Sequence, residues 1–152
     1  MLTLQGGCQC RRHRYTLRLE KPEGYFCHCR MCQQAFGNIF ATFINARVAD
    51  VHWEGSEPAY YASSRIARRG FCARCGTPLT FQFLDADRLD LAVGSLDEPG
   101  AIHPTEHSGI ESRVASWHAT GPLPETRLDE NASIRDRWQA AYGPGVRPGP
   151  QS

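Results

Sequence analysis

Lysine is almost missing from this sequence: 152 residues contain one, Lys21, against 16 arginines. Any anion recognised here therefore meets a planar two-donor fork rather than a compact ammonium. Net charge is scarce as well, formally +1. No overall field draws such a chain to nucleic acid or to an anionic membrane, and neither is expected as a partner. Long apolar runs are lacking, since none approaches the roughly 20 residues that span a bilayer. The opening segment, MLTLQGGCQC, has no basic stretch leading into an apolar one, so no secretory leader is read there. Together these absences give an expectation of a cytoplasmic protein, where thiols stay reduced and disulfides are rare.

What is present is an ordinary globular composition, 41% hydrophobic and 22% charged. The length suits a single domain, expected over residues 1–142. Residues 143–152, GPGVRPGPQS, cannot pack a core and are expected to be disordered. Turn residues break the chain into short pieces. Residues 12–19 alternate, with His13, Tyr15, Leu17 and Leu19 on one face, as in a half-buried strand. Residues 38–46, Val51–Trp53, Ala59–Tyr61, Ile66–Phe71, Pro78–Phe83 and Leu89–Val93 read as further strands. Two short helices are expected, Arg30–Phe36 stopped by Gly37 and Ala132–Tyr142. The fold class is therefore all-β with one or two short helices.

Seven cysteines in a reducing compartment need an explanation other than disulfides. They fall into Cys8-x-Cys10, Cys27-His28-Cys29-Arg30-Met31-Cys32 and Cys72-x-x-Cys75. Such paired spacings let two sulfurs turn toward one ion, and Gly76 after Cys75 suits a tight knuckle. Gly6 and Gly7 before Cys8 are expected to let the backbone approach the metal. A tetrahedral zinc takes four ligands, so seven divides into four plus three. Cys8, Cys10, Cys72 and Cys75 would form a closed structural site, and Cys27, Cys29 and Cys32 an open one. Two zinc ions per chain are expected.

Three thiolates with a fourth position open suit a catalytic zinc that holds a soft substrate thiol as thiolate. The competing reading is a second closed site completed by a distant side chain such as His107, in a non-catalytic zinc-stapled binding or chaperone-like module. His28 alternates away from its flanking cysteines. Arg30 stands beside the clamp, where it would meet either a substrate carboxylate or solvent. Arg65, Arg68 and Arg69 read as a solvated face, and Trp53, Trp117 and Trp138 as core.

GGCQC, CHCRMC, GFCARCGTPL and VGSLDEP together resemble the glutathione-dependent formaldehyde-activating enzyme family, which includes centromere-protein-V-like members. The resemblance runs from about Gly6 to Pro124, with all seven cysteines in register. It implies a β-tent, several short coiled antiparallel sheets around zinc, with Cys8, Cys10, Cys72 and Cys75 on the structural ion and Cys27, Cys29 and Cys32 on the catalytic one. It also implies carbon–sulfur lyase chemistry, joining glutathione to formaldehyde as S-(hydroxymethyl)glutathione. Where the family often shows a basic pair, a small residue and glycine after its three-cysteine cluster, this chain has Gln33-Gln34-Ala35-Phe36-Gly37. Where the family tends to carry His-Ile-Trp, it has His107-Ser108-Gly109-Ile110-Glu111-Ser112-Arg113. The expected partners are a small thiol and a small aldehyde, with His107 or water as proton donor; whether copies of the chain associate as a homo-oligomer is left open.

Overall fold

A computed structural model describes residues 1–117 and 123–148. Residues 149–152, the end of the expected disordered tail, lie outside the described residues. The chain divides into two compact units, Met1–Gly24 with Phe43–His103, and Tyr25–Thr42 with Pro104–Ser152. The first is built mainly from short antiparallel strands and the second carries both helices, so the protein is mostly β with two short helices, as the sequence leads one to expect.

In the first unit, β1 (Leu2–Gly7) and β2 (Arg14–Leu19) pair antiparallel with Leu2 opposite Leu19 and Leu4 opposite Leu17. The expected alternation holds: His13, Tyr15, Leu17 and Leu19 are all buried. After β3 (Glu23–Cys27) and β4 (Ala41–Arg47), which run across the unit boundary, β5 (Val51–Glu54) joins the other side of β2. The strands β6 (Ala59–Ala62), β7 (Ala67–Phe71), β8 (Pro78–Phe83) and β9 (Arg88–Ala92) follow. With β4 they form a sheet in the order β4-β9-β8-β7-β6. Ile44, Leu79 and Leu91 from this sheet join Leu4, Tyr15 and Leu17 in one apolar core that also takes in Cys8 and Cys72. Each fully buried side chain of this size stabilises the fold by about 1.5–3 kcal/mol before entropy is counted.

The second unit carries α1 (Arg30–Phe36), β10 (His103–Ser108), β11 (Glu125–Thr126) and α2 (Ala132–Tyr142). Here the strand order is β11-β10-β3-β4, and β11 runs parallel to β10, His107 opposite Glu125. Cys29 caps α1 with its sulfur, and Gly37 ends the helix in the left-handed conformation. Asn131 caps α2, which buries Trp138 and stacks it on Tyr142.

Two expectations about side chains change. Trp117 is 67% exposed, in a 3-10 turn with no apolar periodicity around it. Arg69 is buried with its guanidinium over Phe81, because it lies on the inward face of β7, whereas Arg68 lies over Tyr60 and bonds Gln82.

Candidate metal centres

The first sulfur cluster is made by two turns of similar build. After β1, Cys8 N–H bonds to His13 O and Arg11 N–H returns to Cys8 O, with Arg11 held at φ 63. After β7, Cys72 N–H bonds to Thr77 O and Gly76 N–H returns to Cys72 O, with Gly76 at φ 76. Only the second turn spends a glycine on the left-handed position. Gly6 and Gly7 stand where other groups come close to the backbone: a Cβ on Gly6 would fall 2.4 Å from the Tyr15 hydroxyl oxygen and 2.5 Å from Ser95 O, and one on Gly7 2.2 Å from His13 O.

The two turns bring Cys8, Cys10, Cys72 and Cys75 within 4.8 Å of one another. Sγ of Cys10 lies 3.6 Å from Cys8 and 3.7 Å from Cys72. A disulfide holds its sulfurs about 2.0 Å apart, whereas zinc bonds of about 2.3 Å in a tetrahedron place them about 3.8 Å apart. The spacing therefore fits a shared ion. The Thr77 hydroxyl, 3.2 Å from Cys75 Sγ, and the Thr77 backbone pull the Cys75 thiol down to about 5. A backbone hydrogen bond at Arg12 works to lower Cys10, but burial and the surrounding thiols outweigh it and push Cys10 up to about 11. At neutral pH this cluster already offers a cation at least one thiolate.

The second cluster is local. Cys27 ends β3, Cys29 caps α1, and Cys32 lies in its first turn; all three are buried and mutually within 4.8 Å. Sγ of Cys27 and Cys29 are 3.5 Å apart, and Cys32 N–H points at Cys29 Sγ from 3.4 Å. Among the described residues no histidine, cysteine or carboxylate joins these three as a fourth donor. Contact with the Cys29 and Cys32 thiols, together with burial, raises Cys27 well above the ordinary thiol range. Hydrogen bonding to Cys27 works to lower Cys29, but Cys32 and burial overcome it and bring Cys29 to about 12. Raised in this way, Cys27 and Cys29 keep their protons at neutral pH unless a cation joins them, which is the chemistry of a zinc ligand set.

His28 turns away from the sulfurs, as its alternation predicts. Its Nε2 meets His107 Nδ1 at 2.8 Å, both rings are buried, and Phe26 stacks on His107. Arg30 is exposed and donates to Gln33 Oε1.

Two residues that hold this cluster were not singled out from the sequence as part of the site. Gln33 is buried, and its amide donates to His28 O at 2.9 Å and to Ser112 O at 2.8 Å. Gly109, at φ 66, lies so close to Cys29 that a Cβ there would fall 2.8 Å from Cys29 N. His28 N–H donates to Ser108 O beside it. The signal for Gly109 was the missing side chain in His107-Ser108-Gly109. For Gln33, whose partner is 79 positions away, the local sequence carried none.

Comparison with known proteins agrees with this picture. An uncharacterized lyase of Schizosaccharomyces pombe is 33% identical over 79 residues, 52% of this chain and 57% of the relative. The chain thus spans little more than half that relative's length. A Rhodobacter sphaeroides protein of known crystal structure shares the fold, with a TM-score of 0.54 and 19% identity over 81% of this chain and all of that one. The model of the glutathione-dependent formaldehyde-activating enzymes matches residues 3–112, a stretch that contains all seven cysteines, and the chain belongs to that family.

Proposed function

We propose that the protein is a zinc-dependent carbon–sulfur lyase that joins a small thiol of the glutathione kind to a small aldehyde of the formaldehyde kind. The observation that carries this reading is the buried Cys27–Cys29–Cys32 set, which offers three donors where a closed site offers four. Cys8, Cys10, Cys72 and Cys75 would hold a structural ion, giving two zincs per chain. The seven cysteines are free thiols, in keeping with a reducing, cytoplasmic setting. Among the described residues no helix is long and apolar enough to cross a membrane.

Zinc held by Cys27, Cys29 and Cys32 would keep an incoming thiol ionised at neutral pH. The chain's own residues do the rest. Gln33 ties His28 O to Ser112 O and so fixes the start of α1 against the 110–112 turn. The Cys32 N–H eases the charge on Cys29. His107 is the proposed proton donor, with its ring positioned by His28 and Phe26. The substrate sulfur adds to the carbonyl carbon, and the alkoxide formed takes the proton that the thiol gave up. Positioning supplies most of the advantage, because formaldehyde is itself reactive.

Exchange NMR on glutathione and formaldehyde tests the proposal. Faster interconversion with S-(hydroxymethyl)glutathione in the presence of the zinc-loaded protein is expected, and no acceleration at any enzyme concentration would end it for this substrate pair.

A further inference from the structure

Several arginines in this protein spend their donors in pairs. Arg14 engages both oxygens of Asp97, and Arg68 sets Nε and Nη2 on Gln82 Oε1. Arg113 does not. Its Nη1 donates to Glu125 Oε1, while Nε and Nη2 are buried with no hydrogen-bond partner among the described residues. Those two nitrogens form one edge of the guanidinium, with parallel N–H bonds spaced to meet both oxygens of a carboxylate. Leaving two charged donors desolvated and unused is costly, and a protein that needed only the Glu125 pair could turn them to solvent.

The place of this edge matters as much as its emptiness of partners. Arg113 closes the one-turn 3-10 helix Ile110–Ser112, whose N-cap is Gly109, the residue pressed against Cys29. At about 2 Å per residue along such a turn, the Arg113 backbone stays within about 8 Å of Gly109. An extended peptide advances about 3.3–3.6 Å per residue. A thiol whose carboxylate lies a residue or two beyond its sulfur covers that order of distance. Ser112, next in chain, is tied to His28 through Gln33, so the Arg113 backbone is referenced to the cysteine clamp at two points. Arg113 lies one position beyond the segment that the family model matches.

We propose that Arg113 is the carboxylate anchor of the thiol substrate, its Nε/Nη2 edge taking one carboxylate while the sulfur is held at Cys27, Cys29 and Cys32. The inference rests on the thiol-binding reading above and adds the feature by which the site selects its thiol. Glu125 holds the guanidinium by Nη1 and so orients the buried, unpaired edge. A carboxylate arriving there satisfies both desolvated donors at once, so the acid form of a thiol should be preferred to its ester.

The test uses the intact protein with cobalt in place of zinc, titrated with glutathione and with glutathione diethyl ester while the sulfur-to-cobalt absorption is followed. The wild type should bind glutathione about tenfold more tightly than the ester, or better. Arg113→Gln should bring that ratio close to one, and Arg113→Lys, which keeps the charge but loses the fork, should fall between. Should Arg113→Gln fail to fold, the wild type alone decides: the Arg113 Nε–H resonance should shift on adding glutathione and stay in place with the ester. Equal binding of both thiols by the wild type, a preference that survives Arg113→Gln, or an unmoved Nε–H signal with glutathione bound would each overturn the anchor while leaving thiol binding intact. If neither thiol alters the cobalt spectrum, the thiol-binding reading falls and the anchor falls with it.

Discussion

The two sulfur clusters use the same donor atom for different ends. Cys8, Cys10, Cys72 and Cys75 join two turns 62 residues apart in sequence, with Cys8 and Cys72 in the apolar core and Cys10 and Cys75 half-exposed. Cys27, Cys29 and Cys32 lie within six residues, all buried, next to polar groups that a core would otherwise exclude: His28, Gln33 and His107. A distant tie restrains the chain, whereas a local clamp restrains little. The polar groups buried beside the clamp are held by hydrogen bonds, His28 to His107 and Gln33 to His28 O and Ser112 O. On this difference we propose the first cluster as scaffold and the second as the place for chemistry.

The sharpest way to break this contrast is to remove one sulfur from each cluster. Cys72→Ser should cost about 3 kcal/mol or more and lower the thermal midpoint steeply. Cys29→Ser should cost clearly less while also losing one zinc per chain. Calorimetry beside a metal count decides, and equal losses of stability would erase the distinction. Gly109→Ala comes next. It forces a Cβ against Cys29 at a positive φ, with an expected loss of about 2–3 kcal/mol. The zinc lost should be that of the second cluster alone. Gln33→Leu leaves His28 O and Ser112 O without their donor, for about 1–2 kcal/mol. Thiol affinity at the second cluster should weaken, and metal at the first should be unchanged.

Acidity separates the clusters more gently. Protons compete best where thiol pKa values are raised, so Cys27 and Cys29 should surrender zinc at a higher pH than the cluster containing Cys75, held near 5. A chelator-trapped acid titration reads the order of release. In metal-free protein the sign reverses. With Cys29 raised from 9.0 to about 12, its contribution to stability is full below pH 9.0 and is lost as pH climbs toward 12. Denaturant melts of chelated protein across that window should show the loss, and zinc-loaded protein should not.

Much of this was legible where the signal is local. The alternation around Tyr15 located β2, Gly37 ended α1, and the cysteine spacings divided four from three. Strands β1, β3, β10 and β11 escaped: EGYFC and HPTEHS carry no alternating apolar face, LTLQGG alternates only at Leu2 and Leu4 before its glycines, and β11 is two residues long. Gln33, Gly109 and the open edge of Arg113 draw their meaning from partners far along the chain or from a missing one, which spacing does not encode. Trp117 looked like core by composition and lies exposed.

X-ray absorption on zinc-loaded protein tests the central claim most directly. Seven sulfurs shared between a closed and an open site give about 3.5 sulfurs per zinc, with two zincs per chain, rising to about 4 when glutathione is added. Four sulfurs per zinc before any thiol is present, or a count that glutathione leaves unchanged, would contradict it.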